Sequence, residues 1–127
     1  MFSAEASSYR DPSGHVFYDA NSVLRSVTEH GRAAYEGFRS NKQVAKLVEA
    51  KMLIGFEEIP RAEWPQGFED DTAYLLRHPK IDFISYPYEW PFAALKRAAL
   101  FHLDLHMELL KGGLTLSDAS AYNVQFR

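Results

Sequence analysis

The chain has 127 residues, 46% hydrophobic content, no cysteine, and 14 basic against 17 acidic residues, giving a formal net charge of −3. The length favours one buried core and argues against several domains, and the lack of cysteine excludes disulfides, thiolate catalysis and Cys-type zinc sites. Basic residues are scattered and no stretch is apolar enough to cross a bilayer. We therefore expect a cytoplasmic protein that binds neither nucleic acid nor a membrane.

The N-terminal region predicts an antiparallel meander over residues 7–27. Asp11-Pro12-Ser13-Gly14 is typical of a turn, because Pro presets φ and Gly tolerates positive φ. His15-Val16-Phe17-Tyr18 and Val23-Leu24-Arg25-Ser26-Val27 flank a second turn and have the composition of strands.

Helical spacing follows from Gly31 to Lys51. Ala34, Phe38, Ala45 and Val48 fall on one predicted face. Asn41 interrupts this face, so it marks either a kink or a boundary between two helices.

Short apolar runs then predict three more strands. Leu53 to Phe56 is the first, and Ile59 to Asp71, with two prolines and a glycine, predicts an exposed loop. Thr72 to Arg77 and Ile81 to Tyr86 predict the other two strands, joined at His78-Pro79-Lys80.

A long helix is predicted after Pro91, which suits the first turn of a helix. Its end is predicted at Gly112-Gly113, and Val124-Gln125-Phe126 predicts a strand that opens a hairpin. The helical spacing comprises Phe92, Leu95, Ala99, Leu103, His106 and Leu110, of which Phe92, Leu95, Ala99 and Leu103 are the expected buried stripe.

Between that helix and strand lie Asp118 and Asn123, at the spacing of a catalytic Asp and a metal-binding Asn in kinase-like enzymes. The Asp would meet the attacking hydroxyl, and the Asn would reach Mg²⁺ across the same loop. A local interpretation is also open, because Asp, Ser and Asn favour turns and bind loop N–H groups.

The order of elements resembles the small lobe of a kinase-like fold followed by the first part of its large lobe. The resemblance implies an α+β fold. Residues 1–90 would form the small-lobe-like antiparallel sheet and helix, and residues 91–127 the first large-lobe helix with a catalytic-loop-like segment, truncated before the second metal-binding Asp. The 127 residues together would then be a single N-terminal domain fragment.

Three longer runs resemble the N-terminal region of a bacterial family of SAM-dependent methyltransferases, some of them nodulation-type proteins. The runs are Arg10-Asp11-Pro12-Ser13-Gly14, Phe83-Ile84-Ser85-Tyr86-Pro87-Tyr88-Glu89-Trp90 and Leu116-Ser117-Asp118-Ala119-Ser120-Ala121-Tyr122-Asn123. The resemblance implies a methyltransferase domain further along the parent chain, which would be the partner of this one. SAM would bind there, since this sequence has no glycine-rich loop to hold it.

Three departures from the kinase pattern argue against retained catalysis. Leu116 stands where kinases usually have His, and Pro12 removes a donor from a turn with a single glycine. Arg25 stands where a kinase strand presents its phosphate-binding Lys, and Arg is not equivalent. Arg25 is otherwise an exposed strand cation. Glu36 or Glu49 could pair with it, but the sequence favours a solvated helix face for both glutamates. We expect weak or undetectable Mg-ATP binding by this chain.

Two further groups are candidate sites. His102 and His106 lie one helical turn apart, but no third metal ligand is suggested, and the pattern favours two half-buried histidines. Tyr88, Glu89 and Trp90 belong to an aromatic run that forms either a ligand cleft wall or part of the core, and its place just before the long helix favours ligand binding in a cleft.

The sequence thus favours a noncatalytic module that docks a substrate or positions a methyltransferase domain. The alternatives are half of an ATP-dependent phosphotransferase site, or a pure protein-interaction or dimerisation domain. We also expect a homo-oligomer, held either by an unpaired strand edge near Phe126 or by an exposed side of the helix from Phe92 to Leu110.

Overall fold

The computed structural model describes residues 2–5, 11–68 and 71–127. They form two compact units, which are described separately. The first comprises the described parts of residues 1–40 and 53–80, and the second comprises residues 41–52 and 81–127.

The first unit is built on a five-stranded antiparallel sheet. Its strands are β1 (Ser3–Ala4), β2 (Gly14–Tyr18), β3 (Val23–Thr28), β4 (Glu57–Glu58) and β5 (Thr72–His78), in the order β1-β2-β3-β5-β4. The predicted β2 and β3 are confirmed, with Gly14 opposite Val27 and Tyr18 opposite Val23. Strand β5 is also confirmed, while residues 7–10 of the predicted meander lie outside the described residues.

Each face of this sheet has its own apolar cluster, because successive side chains of a strand point to opposite sides. On one face, Leu24 and Leu75 pack with Ile59 from the connection before β5. On the other, Val27 and Leu76 pack with Tyr35. Strand β3 therefore alternates between two covered faces.

The helical stretch is divided at Asn41, which confirms the boundary interpretation. Helix α1 spans Arg32–Arg39 in the first unit, and α2 spans Lys42–Glu49 in the second. The Asn41 side chain accepts a hydrogen bond from Gln43 N at 2.9 Å and so caps the start of α2. The predicted apolar face was wrong in detail. Ala34 and Ala45 are exposed and Phe38 and Val48 half-buried, while Tyr35, Val44 and Leu47 are buried.

Two predicted strands are absent from the described residues. Leu53 to Phe56 is irregular, and pairing with β5 begins only at Glu57. Ile81 to Tyr86 makes no ladder, and a short 3-10 turn, Pro87–Glu89, follows it directly. The Ser85 backbone is hydrogen-bonded by the Gln125 side chain instead of by a strand.

Helix α3 spans Phe92–Lys111 and ends at the predicted glycines, with Gly113 at a φ of 75°. Pro91 is the N-cap residue. The predicted buried stripe was wrong: Phe92 is 80% and Leu103 62% exposed. Ala98, Leu105 and Leu109 are buried instead, and α3 contacts α2 within the second unit.

The C-terminal segment also differs from its prediction. Ala121–Asn123 forms a 3-10 turn, and Val124 to Phe126 forms no strand. Val124 is nevertheless buried, at 6% exposure. The homo-oligomer predicted through a strand edge at this position therefore loses its structural basis.

Candidate functional site

The loop around Asp118 and Asn123 is closed by hydrogen bonds among its own residues. Ser120 N donates to the Asp118 carboxylate at 3.2 Å, and the Asn123 side-chain amide donates to the Asp118 carbonyl at 3.3 Å. Ser120 Oγ accepts from Tyr122 N at 3.2 Å. Both candidate side chains thus shape a turn, as the local interpretation predicts, and both are exposed.

A pair of hydrogen bonds ties this C-terminal segment to the aromatic run before α3. Ser85 N donates to Gln125 Oε1, and Gln125 Nε2 donates to the Ser85 carbonyl, each at 3.0 Å. Phe126 meets Trp90 edge to face, with 4.9 Å between ring centroids. The second unit therefore brings together two candidate groups that lie about thirty residues apart in sequence.

Two members of the aromatic run have structural roles. Glu89 Oε2 accepts from Tyr86 N at 2.8 Å, which caps the 3-10 turn Pro87–Glu89. Trp90 Nε1 donates to Ser85 Oγ at 2.8 Å, and its half-buried ring packs on Phe126. Trp90 thus fits the core interpretation better than the cleft-wall one.

Three tyrosines form an exposed aromatic patch beside these contacts, which we call the tyrosine surface. Tyr86 and Tyr88 are stacked, with centroids 5.5 Å apart and an interplanar angle of 4°. The Tyr122 ring lies 6.5 Å from that of Tyr86. Tyr88 is 75% and Tyr122 58% exposed. Sequence analysis did not single out Tyr122, although its place next to Asn123 was a usable signal.

Arg25 belongs to the first unit and is an exposed strand cation. Its nearest carboxylate is that of Asp11, at 3.5 Å. Glu36, a candidate partner that the sequence does not favour, instead lies 3.6 Å from Arg32 and accepts a hydrogen bond from Tyr74 at 2.5 Å. Glu49, the other candidate partner, is exposed in the second unit.

The two histidines of α3, His102 and His106, are half-buried, as the sequence favoured. Within the described ranges, no group of three His, Asp or Glu residues is placed to hold a metal ion. Asp104, between the two histidines in sequence, is exposed.

A charged and aromatic network on the first unit was not predicted. Glu58 accepts hydrogen bonds from Tyr35 Oη at 2.6 Å and from Arg39 at 2.7 Å. The Arg39 guanidinium lies 4.8 Å from the centroid of the Tyr74 ring. Desolvation opposes ionisation of Glu58, but the bonds from Tyr35 and Arg39 outweigh it and lower the pKa of this carboxyl. Desolvation and the bond to Glu58 raise the pKa of Tyr35.

Comparison with known proteins gives one informative match. The chain is 46% identical over 121 residues to nodulation protein NoeA of Rhizobium meliloti strain 1021. The matched region is 95% of this chain but 25% of that protein, so the chain spans about a quarter of its relative. No family model and no solved structure matches. No helix in the described ranges is long and apolar enough to cross a membrane.

Proposed function

We propose that this chain is a noncatalytic, cytoplasmic docking module, related to the kinase-like fold, within a longer nodulation-type protein. Its task is to bind and position another region of that protein, which carries a SAM-dependent methyltransferase domain. The methyltransferase assignment rests on the sequence resemblance alone. SAM would be bound by that other region. The observation that carries the docking role is the tyrosine surface of the second unit.

The geometry of the tyrosine surface supports recognition of a protein partner. Tyrosine offers a large apolar ring with few rotatable bonds and a polar end, which makes it common in binding surfaces. Tyr86 and Tyr88 stack on each other, and such packing reduces the side-chain entropy that binding has to remove. The base beneath them is fixed by the Ser85 and Gln125 hydrogen bonds. The surface thus presents exposed aromatic area next to a hydrogen-bonded backbone.

The support for a noncatalytic role lies in the sequence, where Leu116, Pro12 and Arg25 depart from the kinase pattern. A phosphotransferase needs a carboxylate oxygen of the Asp for the attacking hydroxyl and the side-chain oxygen of the Asn for Mg²⁺. In this chain Asp118 accepts from Ser120 N, and the Asn123 amide donates to the Asp118 carbonyl. These contacts use Oδ1 of Asp118 and the side-chain nitrogen of Asn123, whereas Mg²⁺ would bind the Asn123 side-chain oxygen, so a nucleotide titration has to decide.

Binding to the remainder of the relative tests the docking role. The part of NoeA outside the matched quarter, produced as a separate polypeptide, should bind this chain in calorimetric titration. Tyr88→Ala should weaken the affinity at least tenfold, as expected for an aromatic anchor. Tyr18→Ala, at a 42% exposed tyrosine of the first unit, is the matched control. Absence of binding, or equal effects of the two substitutions, would refute the proposal.

A nucleotide titration distinguishes the docking module from the alternative function, half of an ATP-dependent phosphotransferase site. We expect at most weak Mg-ATP binding, unchanged in Asn123→Ala. Micromolar affinity that is lost in Asn123→Ala would favour the phosphotransferase over the docking module.

A further inference from the structure

Helix α3 carries apolar side chains on two sides, and only one side is buried. Ala98, Leu105 and Leu109 are 3%, 5% and 4% exposed on the inner side. The opposite side, here called the outer face, is open. It consists of Phe92, Leu100, Leu103, Met107 and Leu110, with exposed fractions from 52% to 80%. An apolar stripe of this length on one helix is typical of an interaction surface.

Four residues of the outer face, together with Lys96, have the spacing of a coiled-coil seam. From Lys96, intervals of four and three residues alternate through Leu100, Leu103 and Met107 to Leu110. The helix has 20 residues. It is therefore about 30 Å long, enough for nearly three heptads. The natural occupant of such a seam is another helix of similar length.

We propose that this occupant is the outer face of a second copy of the chain, with the two α3 helices antiparallel. A two-fold axis between Leu100 and Leu103 places Leu100 of each copy opposite Leu103 of the other. The same register places Lys96 opposite Met107 of the second copy. There the aliphatic stem of Lys96 covers the methionine while its ammonium reaches solvent.

The charges beside the seam specify both the partner and the direction. Arg97 and Asp104 are exposed on the same flank of the outer face. Seven residues separate them by about 10.5 Å along the helix, too far for a pair within one chain. In the antiparallel register, each lies near the opposite charge of the second copy, so symmetry makes two ion pairs. A parallel dimer would instead set Lys96 against its own copy and leave these pairs unmade.

Sedimentation equilibrium tests the association itself. The unmodified chain should form a dimer in a concentration-dependent manner, and Leu103→Asp should be monomeric. Ala45→Asp, an acidic substitution at an exposed position of α2, is the control and should remain dimeric. Circular dichroism should show that both variants stay folded. A monomeric unmodified chain would overturn the proposal, as would a folded Leu103→Asp variant that still dimerises. The first of these results is expected if the outer face covers another region of a longer polypeptide.

Charge exchange tests the register. Arg97→Asp and Asp104→Arg should each weaken the dimer several-fold, because each makes like charges face one another. The double variant should recover the original affinity, because both pairs are restored with reversed sign. Equal affinities for all four proteins would overturn the antiparallel register.

Disulfide trapping tests the direction of the two helices independently. The chain has no cysteine of its own, so only the introduced cysteines can react. Leu100→Cys and Leu103→Cys variants, mixed and oxidised, should form mainly the mixed disulfide. A parallel seam would give disulfides between identical variants, which would contradict the proposed direction.

Discussion

The side-chain amide of Gln125 and the backbone of Ser85 exchange two hydrogen bonds of 3.0 Å each. The pair reproduces one rung of an antiparallel ladder, with an amide side chain in place of a second strand. The residues on either side can therefore lie next to each other although neither segment is a strand.

Removing this amide should destabilise the second unit. Gln125→Ala leaves the Ser85 N–H and carbonyl without their partner in a half-buried place, and we expect a cost of about 1–3 kcal/mol. Urea unfolding measures it, with Gln66→Ala, at an exposed position of the first unit, as the control. If the two variants unfold alike, the hydrogen bonds do not stabilise the fold.

Two glycines should respond to alanine in opposite directions. A Cβ at Gly14 would lie 2.0 Å from the Ser26 carbonyl oxygen, whereas a Cβ at Gly37 would meet nothing within 4 Å. Gly14→Ala must push β2 away from β3, and we expect a loss of at least about 2 kcal/mol. Gly37→Ala in α1 should gain up to about 1 kcal/mol from helix propensity. Thermal unfolding of both variants measures these changes in stability. A Gly14→Ala variant as stable as the unmodified chain would contradict the close packing of β2 on β3.

Substitutions on the inner side of helix α3 should destabilise the fold more than those on its outer face. Leu105 is 5% exposed and Leu103 62%. Leu105→Ala should cost about 2–5 kcal/mol, because it leaves a cavity. Leu103→Ala should cost little when unfolding is measured in dilute solution, where self-association contributes least. A greater loss for Leu103→Ala would show that the two sides of the helix are assigned the wrong way round.

Glu58 should make stability depend on acid. Its carboxyl has a lowered pKa in the fold because the hydrogen bonds from Tyr35 and Arg39 outweigh its desolvation. A lowered pKa means that the unfolded chain takes up the proton first, so the contribution is present above the usual value of 4.5 and is lost as pH falls below it.

The matching measurement is unfolding free energy against pH for Glu58→Gln. This variant should be less stable than the unmodified chain at neutral pH. Its unfolding free energy should fall less between about pH 5 and pH 3, the range in which ordinary carboxyl groups titrate. Glu63→Gln, at an exposed glutamate of the first unit, is the control. If unfolding free energy depends on pH in the same way for Glu58→Gln and the unmodified chain, the hydrogen bonds of Glu58 do not contribute to stability.

Local chemistry predicted most element boundaries correctly. Asn41 was identified because it interrupts the apolar face of the helical stretch, and it proved to be an N-cap. The glycines after Lys111 ended α3 as expected, since Gly113 adopts positive φ.

Pairing and burial were harder to predict, because they depend on residues distant in sequence. Ile81 to Tyr86 has an apolar composition that suits a strand, but its backbone is bonded to Gln125, forty positions away. The outer and inner sides of α3 are both apolar, so spacing alone could not decide which one the fold buries. The Glu58 network depends on α1, β4 and β5 being neighbours, and no local sequence motif predicts that arrangement.

Asn41 has a second role that connects two helix ends. Its side-chain oxygen accepts from Gln43 N at the start of α2, and its nitrogen donates to the Gly112 carbonyl at the end of α3, 71 positions away, each at 2.9 Å. One amide therefore closes both termini. Fraying of either end breaks the contact that protects the other, so the Gln43 N–H and the amide protons in the last turn of α3 should show the same free energy of opening in hydrogen exchange.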